Sequence, residues 1–163
     1  MPVNIEAIVA MDECHGLAKD GSIPWKNRED MKFFKQKTIA NIVVMGSKTL
    51  LTLPNQMPLG NRCNIILTNN KENFVEKYSS YNNIIFLNYG EFMDYINNVE
   101  TDKTIYIIGG KQIYDLLLPI CSKIWVSIIS GNYDCDVKLN IDFEKYNVSQ
   151  HSADTFRLYS LKP

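Results

Sequence analysis

Short, continuous apolar runs alternate along this chain with amphipathic stretches. The runs cover residues 5–11, 42–45, 64–67, 84–87, 104–108 and 124–129, and each is rich in Ile and Val. They are too short for ordinary helices, and β-branched runs of this kind predict strands buried on both faces, in a sheet covered by helices. Between them the pattern turns helical. Asn27 is a good N-cap, Glu29 and Asp30 suit the dipole of a first turn, and Met31, Phe34, Lys35 and Thr38 follow at helical spacing, with Phe33 widening the stripe. A short second helix is predicted from Ser47, and a third over about 91–98 with Phe92, Tyr95 and Ile96 on one face. The fourth starts after Gly110, carries Ile113, Leu116 and Leu117, and ends at Pro119. The tail reads as strands over 137–139 and 155–161, arranged as a hairpin exposed on one side. The predicted class is α/β: a central, mostly parallel twisted sheet flanked by four helices, with an antiparallel C-terminal edge strand, in one domain spanning 1–163.

Composition narrows the function classes. A chain of 163 residues, 45% hydrophobic, is long enough for a core that needs no staples. Lys plus Arg total 17 against 18 for Asp plus Glu, without a basic block, so neither a nucleic acid nor an anionic membrane is an expected partner. No apolar run approaches the roughly 20 residues a bilayer requires. The first twelve residues carry neither a basic leader nor a small-residue cleavage site, and a cytoplasmic location is expected. Cys14, Cys63, Cys121 and Cys135 are spread without a C-x-x-C pair, and His15 and His151 are the only histidines. Neither a metal site nor a disulfide is expected, and the cysteines read as buried packing.

Two places share one plan: an apolar strand, a glycine and a helix start. One is Ile42-Val43-Val44-Met45-Gly46-Ser47-Lys48-Thr49; the other is Ile105-Tyr106-Ile107-Ile108-Gly109-Gly110-Lys111-Gln112-Ile113-Tyr114. Glycine admits a ligand close to the backbone, and the free N–H groups of a helix start attract an anion, so two such ends facing one crevice suit a pyrophosphate. Neither is a G-x-G-x-x-G or a P-loop. A third feature runs from Gly16 through Gly21, Ile23, Pro24 and Trp25 to Asp30, a carboxylate at the edge of an apolar helix face. It suits either an ordinary dipole-complementing acid or a carboxylate in a greasy pocket that holds a cationic or amidine-like ligand edge.

Taken in order, the motifs are Ile8-Val9-Ala10; Gly16-x-x-x-x-Gly21-x-Ile23-Pro24-Trp25; Asp30-Met31-x-x-Phe34; Val44-Met45-Gly46-x-x-Thr49; Pro58-Leu59-x-x-Arg62-x-Asn64-Ile65-Ile66-Leu67; and Ile108-Gly109-Gly110-x-x-Ile113-Tyr114. Together they closely resemble dihydrofolate reductase from about residue 4 to residue 161. The resemblance implies reduction of 7,8-dihydrofolate to tetrahydrofolate, with hydride passing from NADPH to C6 of the pteridine and a proton reaching N5, in support of one-carbon metabolism and thymidylate synthesis. It implies catalytic roles for four residues. Asp30 bonds the pterin 2-amino group and N3, and Ser127 bridges by water to that acid. Tyr114 lies beside the transferring hydride. Ile23 belongs to a mobile loop that closes over nicotinamide, latched by Asp136. Substrate contacts are implied for Ile8, Val9, Met31, Phe34, Leu59 and Ile108, and a fork from Arg62 onto the substrate's α-carboxylate. Cofactor contacts are implied for Ala10, Leu17, Gly46, Ser47, Lys48, Thr49, Leu67, Thr68, Asn69, Ile108, Gly109, Gly110, Lys111, Gln112, Ile113 and Tyr114, with a cis bond between the paired glycines. Antifolates such as methotrexate are implied ligands, and a monomer is expected.

The chain departs from the family's pattern in three respects. Ser47, Lys48, Thr68 and Asn69 stand where the cofactor 2′-phosphate usually meets arginines, which weakens the expected preference for NADPH over NADH. Leu50 stands where a tryptophan is common. Ser127 keeps the hydroxyl of the usual threonine and loses its methyl. The rival readings are a related pyrimidine reductase of riboflavin biosynthesis and a non-catalytic protein that binds folate or nucleotide.

Overall fold

The structure is a computed structural model that describes residues 2–163. The chain runs β1 (Ile5–Asp12), β2 (Gly16–Ala18), α1 (Arg28–Thr38), β3 (Ile42–Gly46), α2 (Ser47–Thr52), β4 (Cys63–Leu67) and β5 (Ile84–Leu87). It continues with α3 (Tyr89–Asn98), β6 (Ile105–Gly109), α4 (Lys111–Leu117), β7 (Lys123–Ile129), β8 (Val137–Lys138), β9 (Asn147–His151) and β10 (Arg157–Lys162). Eight strands form one sheet in the order β5-β4-β3-β6-β1-β7-β10-β9, while β2 pairs with β8. From β5 to β7 every pairing is parallel. β10 runs antiparallel between β7 and β9.

Strand side chains alternate between faces, and here both faces are apolar. Ala7, Val9 and Met11 enter one hydrophobic layer with Ile42, Val44, Phe92 of α3 and Leu117 of α4. Ile8 enters the other with Val43, Met45, Leu50 of α2 and, packed against them, Phe33 and Phe34 of α1. Helices therefore cover both faces, as continuous β-branched runs require. From β1 the chain moves outward to β3, β4 and β5, returns to insert β6 beside β1, and then crosses to β7. The strand order thus reverses between β6 and β1, and in open α/β sheets the carboxyl ends at such a reversal frame a crevice.

Local chemistry sets the ends of these elements. Asn27 caps α1 by accepting from Asp30 N–H at 2.9 Å. α3 begins at Tyr89, two residues earlier than the apolar stripe indicates, because Asn88 and Glu91 form a reciprocal capping box. Pro119 falls in a 3-10 turn directly after α4.

The tail differs from the sequence expectation. Residues 137–138 pair with β2, held by Asp136 N–H to the Ala18 carbonyl and Leu139 N–H to the His15 carbonyl. The hairpin partner of the C-terminal strand is β9, whose five residues are all exposed; without an apolar side it carried no strand signal. β9 takes the sheet's edge and leaves antiparallel β10 one place inside it. β10 starts at Arg157 rather than 155, since the N–H groups of Asp154 and Thr155 are bonded to Glu29. The cysteines also divide: Cys121 and Cys135 are buried, Cys63 is partly buried and Cys14 is exposed.

Candidate active site

The first turn of α1 brings Asp30 against β7. Ser127, fully buried, donates its hydroxyl to Asp30 Oδ1 at 2.7 Å. The contact is direct, where the family resemblance implied a bridging water. Burial raises the Asp30 carboxyl above the ordinary aspartate range; the Ser127 bond pulls it back, and the Glu29 charge pushes it further up. Tyr114, buried in α4, donates its hydroxyl to the Ile8 carbonyl at 2.6 Å. Burial, then the negative charge of Asp30, raises its phenol strongly, so it stays a neutral donor. One acid, one hydroxyl and one phenol thus meet where β1 and β7 lie side by side.

The two glycine junctions end neighbouring strands, with Met45 in register with Gly109. The Gly109–Gly110 bond is cis, and Gly109 has φ +123°, where a side chain is strained. A Cβ on Gly109 would sit 3.3 Å from the Tyr114 ring, and one on Gly46 would sit 3.2 Å from Ile113 Cγ1. On Gly110 it would lie 3.6 Å from Thr49 Oγ1, so the starts of α2 and α4 stand side by side. Neither start has a side-chain cap, which leaves first-turn N–H groups free for an anion. Ser47, Lys48 and Thr49 open α2; Lys111, paired with Asp115 at 3.3 Å, opens α4 with exposed Gln112. Beyond Leu67, Thr68 accepts the Asn70 N–H at 3.1 Å and Asn69 is exposed.

Residues 58–62 form a separate wall. Arg62 donates from Nε to the Gly60 carbonyl at 2.9 Å and from Nη1 to Thr38 Oγ1 at 3.0 Å, over the end of α1. Partial burial lowers its pKa without threatening its charge. Asn64, fully buried, organises this loop: its Oδ1 accepts from Leu59 N–H, while its Nδ2 faces the carbonyls of Leu59, Arg62 and Asn83. Its structural role was missed, although a polar side chain inside an apolar run was a signal.

Ile8, Phe34, Leu59 and Ile108 share the layer that includes Trp25. Val9, Leu17 and Leu67 belong to the opposite layer, with Ile113 packed against it. Val9 therefore turns its side chain away from Ile8, and Ala10 is partly exposed. Among the described residues, Ile23 at 61% and Met31 at 58% are the most exposed large apolar side chains.

Ile23 follows a tight turn in which Lys19 and Ser22 exchange backbone bonds, with Asp20 and Gly21 both at positive φ. Asp136 Oδ2 accepts from Asp20 N–H at 3.0 Å and so tethers that turn to the segment before β8. Beneath it lies a second residue that the sequence did not reveal. Asp12, wholly buried, accepts from the N–H groups of Cys14, Gly16 and Tyr133 at 2.9, 2.7 and 3.0 Å, with Cys135 Sγ at 3.6 Å. Burial raises its carboxyl, but these bonds together outweigh that and hold it below the ordinary range. Two shallow depressions, of about 540 and 450 Å³, lie along 150–157 and beside Glu13 and Ile141, and share no residue with this crevice.

A doubly wound α/β sheet, with paired glycine-led helix starts and a half-buried carboxylate against β7, is the plan of a protein that can hold a dinucleotide beside a small heterocycle. The dihydrofolate reductase family model matches residues 4–158. The chain is 31% identical over 147 residues to dihydrofolate reductase of Mycoplasma pneumoniae, covering 90% of this chain and 89% of that one. It is 33% identical over 146 residues to the enzyme of Enterococcus faecium, covering 88% and 83%. The solved dihydrofolate reductase of Enterococcus faecalis, complexed with NADP(H) and RAB-propyl, superposes with a TM-score of 0.79 at 24% identity, covering 99% and 98%. This chain belongs to the dihydrofolate reductase family. It is an oxidoreductase that reduces dihydrofolate to tetrahydrofolate, and neither rival reading is favoured. Among the described residues no helix is long and apolar enough to cross a membrane.

Proposed function

We propose that the reduction takes place in the crevice at the β6–β1 reversal, with NADPH as reductant and Asp30 as the group that grips the pteridine. The observation that carries this reading is the half-buried Asp30 carboxylate, bonded to Ser127 beside the glycine-led helix starts. Asp30 takes the 2-amino group and N3 of the pterin, a paired contact suited to a carboxylate. Its raised proton affinity keeps a proton close to the ring, and water relays that proton to N5. Ser127 holds the carboxylate in one orientation. Ile8 and the backbone of Val9 form the floor, Met31 and Phe34 pack on the rings, and Leu59 lines the benzoyl region. Arg62, with Nε and Nη1 already engaged, offers Nη2 and the second Nη1 proton to the tail carboxylate.

The residues fit the cofactor. Gly46, Ser47, Lys48, Thr49, Gly109, Gly110, Lys111 and Gln112 form the phosphate cradle, where an added Cβ at Gly46 or Gly109 would crowd Ile113 or Tyr114. Lys48 and Thr68, with Leu67 and Asn69 alongside, take the 2′-phosphate. Ala10, Leu17, Ile108, Ile113 and Tyr114 border the nicotinamide, which supplies the hydride for C6. Ile23 closes over the ring and excludes water, held by the Asp136 tether. The chain acts as a cytoplasmic monomer and binds antifolates such as methotrexate in the pterin position.

The test is turnover. NADPH absorbance should fall only when dihydrofolate is added, stop with methotrexate, and fall more slowly with NADH. Asp30→Asn should keep the fold and lose at least about 100-fold in rate near neutral pH. A near-normal rate removes Asp30 from the mechanism.

A further inference from the structure

The loop between β9 and β10 is fastened to the first turn of α1 by one side chain. Glu29 Oε1 accepts from the Thr155 hydroxyl at 2.6 Å, the Thr155 N–H at 2.7 Å and the Asp154 N–H at 3.1 Å; its Oε2 accepts the Asp154 N–H at 2.9 Å. Asn27 reinforces this, donating from Nδ2 to the Thr155 carbonyl at 3.2 Å. The Asn27 Oδ1 that caps Asp30 N–H also lies 3.1 Å from Thr155 Oγ1. The loop is therefore bonded to the same cap that fixes the backbone of Asp30.

Consecutive helix residues point about 100° apart, so two adjacent carboxylates serve different partners. Glu29 faces the 154–155 loop, and Asp30 faces Ser127. Helix ends fray when their first-turn groups are loosely held, and charge-assisted bonds such as those of Glu29 are the stronger kind. We propose that Glu29 and Thr155 form a clasp that fixes the rotation of the first turn of α1 and so aims Asp30 at the pteridine, making both positioning residues for dihydrofolate reduction. The proposal rests on reading Asp30 as the pterin-gripping carboxylate.

Charge gives the clasp a second, separable effect. The groups facing Asp30 are Glu29 on its own helix, the neutral phenol of Tyr114 from α4 and the hydroxyl of Ser127 from β7. The Glu29 charge opposes ionisation of Asp30. Glu29→Gln keeps an acceptor oxygen and removes the charge, Glu29→Ala removes both, and Thr155→Val removes the hydroxyl with its contacts to Glu29 and Asn27.

Steady-state kinetics of the full chain across pH separates these effects. Glu29→Ala should raise KM for dihydrofolate roughly five- to tenfold, as expected for lost charge-assisted bonds, with KM for NADPH unchanged. The midpoint of its pH–rate profile should move to lower pH. Glu29→Gln should restore the KM while keeping the lowered midpoint, and Thr155→Val should raise KM alone. Parallel changes in both KM values overturn the clasp, and an unmoved midpoint in both Glu29 variants overturns its charge effect on Asp30. If Asp30→Asn abolishes turnover while Glu29→Ala behaves as wild type, the clasp fails alone. If Asp30→Asn turns over normally, the site reading fails and the clasp with it.

Discussion

Two aspartates, the wholly buried Asp12 and the half-buried Asp30, have opposite electrostatic surroundings, and their effects on stability should therefore differ in sign. Asp12 receives three N–H donors and its carboxyl lies below the ordinary range, so its contribution is present above the unfolded pKa and is lost as pH falls through the folded one. Asp12→Asn leaves an N–H facing an amide nitrogen and should cost about 2–3 kcal/mol at pH 7. That lowers Tm by about 2–4 °C per kcal/mol, with the gap narrowing only below about pH 4, where the unfolded carboxyl protonates. Asp30, with only one hydroxyl donor, is shifted upward; its ionised form costs stability above the folded pKa, and the cost disappears as pH falls through it. Asp30→Asn should therefore melt higher than wild type at pH 7 and converge with it in acid. Melting curves at the two pH values check both signs, and a stabilising Asp12→Asn would contradict the account.

At the level of elements, most positioning comes from polar side chains that join segments the backbone ladder does not join. Asn64 ties the 59–62 loop to β4 and to Asn83, while Thr38 carries Arg62 from the end of α1, donating its own hydroxyl to the Phe34 carbonyl at 2.9 Å. Asn64→Leu would strand the Leu59 N–H and weaken the bonding of three carbonyls. A loss of about 3 kcal/mol is expected, near the upper end for unsatisfied buried polar groups. Because the disturbed loop bears Arg62, KM should rise for dihydrofolate but not for a dihydropterin without the benzoylglutamate tail, nor for NADPH. Equal losses for both pterins would mean that the loop does not hold the tail.

For the whole molecule, the crevice matters because it is framed by elements from both layers of the sheet, α1 and α2 on one face and α4 on the other. A ligand that bridges the α2 and α4 starts ties these layers together and stabilises the native state by mass action. NADPH at one hundred times its dissociation constant should add about 2.7 kcal/mol. Thermal shift then measures the cofactor phosphate site without turnover. Lys48→Ala should reduce the shift given by NADPH towards that given by NADH and leave the NADH shift alone. An undiminished NADPH shift would remove Lys48 from the 2′-phosphate.

The parallel strands, the four helices and both glycine junctions were legible in the sequence, because burial on two faces and helical periodicity are local patterns. The antiparallel C-terminal strand was legible through Phe156, Leu158 and Tyr159 mixed with polar residues, and Phe156 and Leu158 are buried. β2 and β9 were not: β2 has three residues and β9 has no apolar side, so neither departs from loop composition. The residues that hold the site in place were equally hidden. Asp12 meets Tyr133 across 121 positions and Glu29 meets Thr155 across 126, while the Ser127–Asp30 pair, 97 positions apart, was indicated only by the family resemblance. Hydrophobic burial is non-directional and writes itself as a repeat along the chain, so the sequence alone determines the layers and the buried strands. A hydrogen bond needs one donor at one distance and angle, and only the folded chain decides which distant groups meet.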